Sequence, residues 1–501
     1  MTIDEYIGLD ACALASLVAR GQVTPAELVE TAIERLTTME PVVNGMTEWL
    51  LDRARREAMD PPAGAFRGTP FLLKDNLHVA AGVPYHNGSR IWRGWTPPAD
   101  SEFMKRLRAA GMIMLGSTRT SELSFAPVTE SKIAGPVRNP WNLDRTAGGS
   151  SGGSGAHVAA RSVPVAHGVD GGGSIRIPAS CCGLFGLKPT RGRTPNGPFA
   201  GEPWHGAAIG HVLTRTVGDS AALLDVLAGS DQGAPYAAPA QHGSFFQATL
   251  RRPGSLRVAF TAAAPNGVAV DVECQNAVLG AANLCADLGH RVEQRAPPIP
   301  AGYFEWFTTI VLASVAQEFR FAEETTGTKA RRRDVENSVW LARAFGEAMS
   351  AVDLSLALER IHRASRMIAA FFEEFDLLLT PTLARAPLHH GELDPKGIES
   401  LLQTVLAFSG GVRVLRPASL LEEAAARAFS FTPFTPVWNM SGQPAASLPL
   451  HWSSDGMPIG VQAIGRFGAE ATLLSFAAQL EEARPWITRS PGERNCIAAA
   501  L

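Results

Sequence analysis

The spacing of apolar residues changes character about 60 residues into the chain. Over residues 4–60 the apolar positions recur at helical intervals, and Thr24-Pro25-Ala26-Glu27 has the form of a capping box with proline at the first helical position. The apolar stripe that follows the box comprises Leu28, Ala32, Ile33 and Leu36. The pattern therefore predicts N-terminal helices within residues 1–60.

After residue 60, short apolar runs alternate with amphipathic stretches. The runs typical of strands lie at 71–73, 112–115, 163–166, 256–260, 376–379, 445–450 and 459–464. The stretches typical of helices lie at 102–110, 219–227, 272–288, 342–375 and 469–483. This alternation predicts an α/β fold with a central mixed, largely parallel β-sheet covered by helices on both faces. No repeat or low-complexity linker divides the sequence, so we expect a single domain over residues 1–501.

One segment interrupts the alternation. Residues 384–432 combine proline, glycine and histidine with short apolar groups such as 401–408. A loop of this length inside a compact domain is usually functional or disordered. We interpret the segment as a lid over the substrate, with a solvated surface excursion as the alternative.

Composition and charge narrow the classes of function. Hydrophobic residues make up 46% of the chain and charged residues 19%, which is a globular composition. The net charge of −3 indicates no basic surface for nucleic acid, and no apolar run is long enough to cross a bilayer. The six cysteines form no CxxC pair, which is typical of reduced thiols in the cytoplasm. We expect a cytoplasmic protein with no metal, cofactor, nucleic-acid or membrane partner; a homodimer is left open.

The most informative segment is 146–193. It contains Gly148-Gly149-Ser150-Ser151-Gly152-Gly153-Ser154 and, after an apolar run, Gly171-Gly172-Gly173-Ser174-Ile175-Arg176. Glycine at this density costs backbone entropy on folding, so we expect the backbone to serve a purpose that side chains would block. Consecutive glycines can turn backbone N–H groups towards a substrate oxygen. A flexible linker is the alternative, and the crowded apolar residues directly after the block argue against it: Ile175, Ile177, Leu184, Phe185 and Leu187.

A serine nucleophile needs a base within hydrogen-bonding reach. Residues 148–152 match the G-x-S-x-G elbow of α/β-hydrolases, although turn residues 139–142 precede them where the elbow requires a strand. The other candidate base is Lys74, which ends an apolar run in a chain with six lysines. Burial at a strand end would lower the pKa of Lys74 towards the neutral range, where it can act as a base. On these grounds alone both bases stay open.

Several motifs, in order along the chain, resemble the amidase-signature family. They are Leu72-Leu73-Lys74-Asp75-Asn76, the glycine-serine blocks at 148–154 and 172–178, and the stretches 183–190, 214–217, 376–382, 439–445 and 455–462. Separate motifs in the right order are far more specific than any one of them. The sequence as a whole is most similar to those of bacterial stand-alone amidases, such as hydrolases of nylon-type oligomers, aryl acylamidases and urethanases.

The resemblance implies a catalytic role for three residues. Ser174 matches the nucleophile, Ser150 the bridging serine on a cis peptide bond, and Lys74 the general base. In the implied relay, neutral Lys74 takes a proton from Ser150, which takes one from Ser174. The family resemblance thus implies hydrolysis of an acyl C–N bond through an acyl-enzyme on Ser174.

The resemblance also implies how the reacting carbonyl is held. The positions that match the oxyanion hole are the backbone N–H groups of Gly171, Gly172, Gly173 and Ser174. Asp170 and Arg176 match positions that support the glycine loop. Gly171 stands where many relatives carry a larger residue, which predicts a roomier pocket.

The expected substrate is a small-molecule amide, anilide or carbamate. Ser124, Phe125 and Ala126 match substrate-lining positions of the family, with a core position as the alternative for Phe125. Two alternative functions are a glutaminase subunit of a tRNA-dependent amidotransferase and an α/β-hydrolase-like esterase. A non-catalytic relative is disfavoured because the catalytic residues are present, and a metal hydrolase because the sequence has no HExxH motif.

Overall fold

The structure, a computed structural model, describes residues 1–395 and 418–491, with the backbone alone for 418–424. The strands are β1 (Met46–Trp49), β2 (Pro70–Lys74), β3 (Ile113–Thr118), β4 (Glu130–Ser131), β5 (Gly135–Pro136), β6 (Arg138–Asn139), β7 (Asn142–Thr146), β8 (Val165–Asp170), β9 (Phe185–Lys188), β10 (Ile209–Thr214), β11 (Arg257–Phe260), β12 (Arg291–Gln294), β13 (Leu377–Pro381), β14 (Ala445–Trp452) and β15 (Pro458–Gly465).

The helices surround these strands. They are α1 (Ile3–Gly8), α2 (Ala11–Ala19), α3 (Pro25–Val43), α4 (Leu51–Ala58), α5 (Glu102–Ala109), α6 (Gly152–Ala159), α7 (Arg176–Cys182), α8 (Val217–Leu227), α9 (Phe245–Thr249), α10 (Val272–Asp287), α11 (Tyr303–Thr326), α12 (Asn337–Ala348), α13 (Ala351–Glu374), α14 (Ala418–Phe431), α15 (Pro436–Ser441) and α16 (Glu470–Ala483). None of the described helices is both long enough and apolar enough to cross a membrane.

One large sheet organises the described residues, in the order β1-β3-β2-β8-β10-β9-β14-β15-β13-β11-β12. The predicted mixed sheet is confirmed, but the prediction that it is largely parallel is wrong. Parallel pairing is confined to β3-β2-β8 and β13-β11-β12, and the strands between β8 and β13 pair antiparallel. A short turn joins β14 to β15, and strands joined in that way must run antiparallel.

Helices cover both faces of the sheet, as predicted. Successive side chains of a strand point to opposite faces. In β13, Leu377 and Leu379 pack in an apolar cluster with residues of α8, α10 and α16, whereas Leu378 packs with residues of α11, α12 and α13. The sheet is therefore the middle of three layers.

The predicted elements are confirmed with two kinds of difference. The predicted helix at 342–375 is two helices, because the Ser350 side chain accepts a hydrogen bond from the Asp353 N–H and starts α13 with a capping box. Of the large sheet, strands β1, β9, β10 and β12 were not predicted, and neither were the short strands β4 to β7. The helices that were not predicted are α6, α7, α9, α11, α14 and α15. Residues 4–60 are helical apart from the edge strand β1.

The described ends of the predicted lid segment are packed against the core. Ala384, Leu388 and Phe431 are buried, and the Ala384 N–H donates a hydrogen bond to the Phe431 carbonyl at 3.0 Å. The residues expected to close over the substrate, Leu401, Leu402 and Phe408, lie outside the described residues. The lid stays a prediction.

The fold brings two strand ends to one edge of the sheet. Parallel strands β2 and β8 are neighbours, so Lys74 at the end of β2 and Asp170 at the end of β8 lie on the same edge. The glycine loop 171–175 leaves β8 there and leads into α7. Ligands of open α/β sheets bind beyond the carboxyl ends of the strands. A ligand is therefore expected to bind at this edge of the sheet.

The approach of β1 to β3 gives a test of this packing. A Cβ atom at Gly116 would lie 2.2 Å from the Glu48 carbonyl oxygen, so alanine must displace the edge strand. We expect Gly116→Ala to lower the free energy of unfolding by about 1–3 kcal/mol. The measurement is the urea midpoint of unfolding.

Gly280 in α10 provides the matched control. No atom lies within 4 Å of a Cβ placed there, so Gly280→Ala should raise the free energy of unfolding by about 1 kcal/mol through helix propensity alone. Equal effects of the two substitutions would contradict the β1–β3 packing.

Candidate active site

Lys74 and Ser150 form a buried hydrogen-bonded pair. The Lys74 Nζ atom donates to Ser150 Oγ at 2.7 Å and lies 3.4 Å from the Val169 carbonyl oxygen. Both side chains are fully buried. The structure thus brings together the predicted base and the predicted bridging serine, which are 76 positions apart in sequence.

The surroundings of Lys74 suit a base that works near neutral pH. Burial lowers the pKa of Lys74 to about 7, although the Asp170 and Asp75 carboxylates act in the opposite direction. Removing an ammonium group from water disfavours its charged form, so a large share of Lys74 is neutral at pH 7. A neutral amine can accept a proton from the Ser150 hydroxyl.

Thr129 holds the loop that carries Ser150. The peptide bond between Gly149 and Ser150 is cis, as the family resemblance implies. The Thr129 Oγ1 atom donates to the carbonyl oxygens of Gly148 and Ser150 at 3.0 and 3.1 Å, and accepts from the Gly152 N–H at 3.1 Å. These contacts fix the backbone on both sides of Ser150. Thr129 has no sequence signal of its own and was not predicted.

Ser174 is the most accessible of the three predicted catalytic residues. It lies in the loop between β8 and α7 and is 9% exposed, whereas Lys74 and Ser150 are fully buried. Within the described part of the chain, the Ser174 hydroxyl has no hydrogen-bond partner. Its proton link to Ser150 therefore stays a prediction.

Backbone N–H groups of the glycine loop are available beside Ser174. Among residues 1–395 and 418–491, no acceptor binds the N–H of Gly171, Gly172 or Ser174. The N–H of Gly173 differs, since it donates to the Asp170 carboxylate at 2.8 Å. The prediction that Gly173 is an oxyanion-hole donor is therefore wrong, because its N–H group is already bound to Asp170 and holds the loop. Three candidate donors remain.

Asp170 and Arg176 support the loop as an ion pair. The Arg176 guanidinium donates to both carboxylate oxygens of Asp170 at 2.8 and 2.9 Å, and both side chains are buried. Burial alone would raise the pKa of Asp170, but the charge and hydrogen bonds of Arg176 and a hydrogen bond from Asn439 lower it to about 2. Asp170 is therefore ionised at every physiological pH.

The C-terminal part of the chain supports the same loop. Thr435 Oγ1 donates to the Gly172 carbonyl at 2.7 Å, and Asn439 Nδ2 donates to the Asp170 carbonyl and carboxylate at 2.8 Å. Gly173 has a φ of +133°, and a Cβ there would lie 2.4 Å from Thr435 Oγ1, so only glycine fits. Asn439 lies in a motif that resembles the family, but its role was not predicted.

The predicted substrate residues occupy a half-buried loop. Leu123 and Ser124 have positive φ values of 48° and 56°, and the Ser124 hydroxyl hydrogen-bonds to Thr120 Oγ1 at 3.0 Å. Phe125 is partly buried against an apolar cluster of α11, α12 and α13. A few residues on, the Val128 backbone lies 2.6 Å from where a Gly149 Cβ would be. The loop thus borders the Ser150 turn, and substrate contact by Ser124, Phe125 and Ala126 stays a prediction.

Space at Gly171 is filled by an aromatic ring. A Cβ at Gly171 would lie 3.1 Å from Trp204 Cε3. The Trp204 ring thus lies where a larger side chain at position 171 would extend, and the roomier pocket stays a prediction. Elsewhere in the described residues, no group of three or more His, Cys, Asp or Glu side chains could hold a metal ion.

Known proteins match this chain over almost its whole length. A 6-aminohexanoate-cyclic-dimer hydrolase from Pseudomonas sp. (strain NK87) is 38% identical over 491 residues, which cover 96% of each chain. The solved structure of 6-aminohexanoate cyclic dimer hydrolase complexed with substrate has a TM-score of 0.89 at 36% identity and covers 98% of this chain and 99% of that one.

A second solved structure has the same architecture. A bacterial aryl acylamidase of the amidase signature family gives a TM-score of 0.81 at 26% identity over 98% of each chain. The family model described as Amidase matches residues 27–474. Because this match spans most of the sequence, the chain belongs to the amidase family of amide hydrolases.

Proposed function

We propose that the chain hydrolyses the C–N bond of uncharged amides through an acyl-enzyme on Ser174. The observation that carries the proposal is the 2.7 Å hydrogen bond between Lys74 and Ser150, together with a Lys74 pKa of about 7. A buried lysine with this pKa can act as the base that a serine nucleophile requires. Ser150 faces Lys74 and is fully buried, which favours Ser174 as the residue that meets substrate.

In the proposed first step, Ser174 Oγ attacks the amide carbonyl carbon. Its proton passes to Ser150 Oγ as the Ser150 proton passes to Lys74 Nζ. The carbonyl oxygen becomes negative and is stabilised by the free N–H groups of Gly171, Gly172 and Ser174, each donor being worth about 10²–10³ in rate. The C–N bond then breaks, and the proton returns along the relay to the leaving amine.

The second step removes the acyl group. Water gives a proton to the same relay and attacks the ester carbonyl of acylated Ser174. The C–O bond to Ser174 breaks, Ser174 Oγ recovers a proton, and the carboxylic acid leaves. No redox partner or metal ion takes part in either step of this scheme.

The proposed substrate is a small amide with an apolar acyl group. The aromatic rings that pack beside the glycine loop, Trp204 against Gly171 and Phe307 against Gly172, suit an apolar group better than a charged one. The similarity to a 6-aminohexanoate-cyclic-dimer hydrolase supports aliphatic amides, and the fold of the aryl acylamidase supports a test of anilides. Carbamates should be tested as substrates together with the aliphatic amides and anilides.

Replacement of the nucleophile tests the mechanism. Ser174→Ala should reduce amide hydrolysis at least about 10⁴-fold, since loss of a serine nucleophile costs that much or more. The protein should still fold, because the hydroxyl lacks a partner within the described residues. The measurements are turnover of a p-nitroanilide and circular dichroism, with Ser151→Ala as the neighbouring control.

Labelling identifies the nucleophile independently of turnover. A fluorophosphonate should modify Ser174, and peptide mass spectrometry should locate it there. Modification of Ser150 in place of Ser174 would exclude the proposed relay and support the α/β-hydrolase elbow.

The pH dependence tests Lys74. The protonated amine cannot accept a proton, so kcat should rise about tenfold per pH unit below the Lys74 pKa of about 7 and level off above it. Lys74→Ala should lower kcat about 10²–10⁴-fold, as expected for a lost general base. The exposed Lys105, replaced by alanine, is the control. A Lys74→Ala variant that keeps more than a tenth of the activity would rule out this base.

A further inference from the structure

Trp204 lies at the tip of a loop with an unusual backbone. Trp204 and His205 have φ values of 52° and 51°, and Gly206 follows at 78°. Residues other than glycine seldom adopt this left-handed conformation, and a bulky one that does so is held by its surroundings. The loop joins β9 to β10 and turns the indole ring back onto the sheet edge.

One side chain, that of Asn439, contacts both this loop and the residue before the glycine loop. The Arg191 Nε atom donates to the Gly206 carbonyl at 2.8 Å, and Asn439 Nδ2 donates to the Ala207 carbonyl at 3.1 Å. Asn439 Nδ2 also donates to the Asp170 carbonyl oxygen at 2.8 Å, directly before the glycines. Asn439 thus links the loop that carries Trp204 to the strand end that precedes the candidate oxyanion hole.

Two aromatic rings pack on the two glycines that carry free N–H groups. A Cβ at Gly171 would lie 3.1 Å from the Trp204 ring, and a Cβ at Gly172 would lie 3.3 Å from Phe307 Cζ. Neither glycine has a positive φ, so its backbone conformation is open to alanine. A side chain at position 171 would therefore press on the ring of Trp204, which would have to shift to admit it. Gly171 and Trp204 form a size-matched pair.

Trp204 is also accessible. It is partly buried against the same apolar cluster as Phe125, and the rest of its surface is open. A carbonyl oxygen bound by the N–H groups of Gly171 and Gly172 would place its acyl group close to the two rings. Flat aromatic walls accept an extended chain or a flat ring and leave little room for branching.

We propose that Trp204 determines acyl specificity. Together with Phe307 it forms the wall of the binding site beside Gly171 and Gly172. This wall admits unbranched or flat acyl groups and excludes acyl groups that are branched next to the carbonyl. This inference rests on the proposed function, in which Ser174 attacks an amide held by these glycines. It adds the chemical class of the acyl group and the residue that selects it.

The test compares two p-nitroanilides, hexanoyl and 2,2-dimethylhexanoyl. Trp204→Ala should lower kcat/KM for the hexanoyl substrate about tenfold, through KM, because an apolar contact is lost. The ratio of kcat/KM for the branched over the unbranched substrate should rise at least about tenfold. Trp340→Ala, which removes a partly buried tryptophan packed on Phe319 in α11, should leave the ratio unchanged.

A double substitution tests the size-matched pair. Gly171→Ala alone should lower kcat/KM for the hexanoyl substrate about tenfold, because its methyl group displaces the Trp204 ring. In the Trp204→Ala background, Gly171→Ala should cost less than about threefold, since the obstacle is gone. If Gly171→Ala lowered kcat/KM by the same factor in wild type and in Trp204→Ala, the size-matched pair of Gly171 and Trp204 would be ruled out.

A small covalent probe separates this inference from the proposed function. Methanesulfonyl fluoride is too small to reach the wall, so its rate of reaction with Ser174 should be the same in wild type and Trp204→Ala. An unchanged substrate ratio with an unchanged probe rate would overturn the role of Trp204 alone. If wild type neither cleaves the anilides nor reacts at Ser174, the proposed function fails. Trp204→Leu provides the same comparison if the alanine variant does not fold.

Discussion

The buried ion pair of Asp170 and Arg176 is the interaction on which the site depends. One oxygen of Asp170 fixes the Gly173 N–H at 2.8 Å, and Arg176 extends the support to Gln462 Oε1 at 2.6 Å. The Asp170 carboxylate also opposes the effect of burial on the Lys74 pKa, which would otherwise be lower. Breaking such a pair leaves an uncompensated charge in the interior, at a cost of about 3–5 kcal/mol. The same carboxylate thus holds the loop and moderates the effect of burial on the Lys74 pKa.

The parts of the fold that depend on residues close together in sequence could be predicted from the sequence. Apolar period and capping residues located most helices and seven strands. The break before α13 also had a local signal, the capping box of Ser350 and Asp353. It was missed because the apolar pattern of 342–375 continues across the break and predicts one long helix. Strand order and direction depend on which distant segments pair, and the antiparallel centre of the sheet could not be read from alternation alone. Strands β9 and β10 lie among glycine and histidine residues that weaken the strand pattern.

The candidate site was predictable where chemistry needs a particular residue type in a particular motif. Lys74, Ser150 and Ser174 stand in such motifs, and the structure brings Lys74 to Ser150. The supporting residues were not predictable in the same way. Thr129 is one threonine among many, and its role depends on where its hydroxyl lies relative to three backbone groups. The direction of the Gly173 N–H likewise depends on the folded loop, because a sequence of glycines does not say which donors are already used.

The hydrogen bond from Arg176 to Gln462 joins residues 286 positions apart. A ribosome adds about 5–20 residues per second, so the two ends of this contact are made roughly 15–60 s apart. During that interval Ser174 and its glycine loop exist without the C-terminal side chains that hold them, and Arg176 still lacks the acceptors that Thr435 and Gln462 supply. The nascent chain is therefore unable to complete the support of its candidate active site until residues 435–462 have been made. Translation itself delays the onset of hydrolysis.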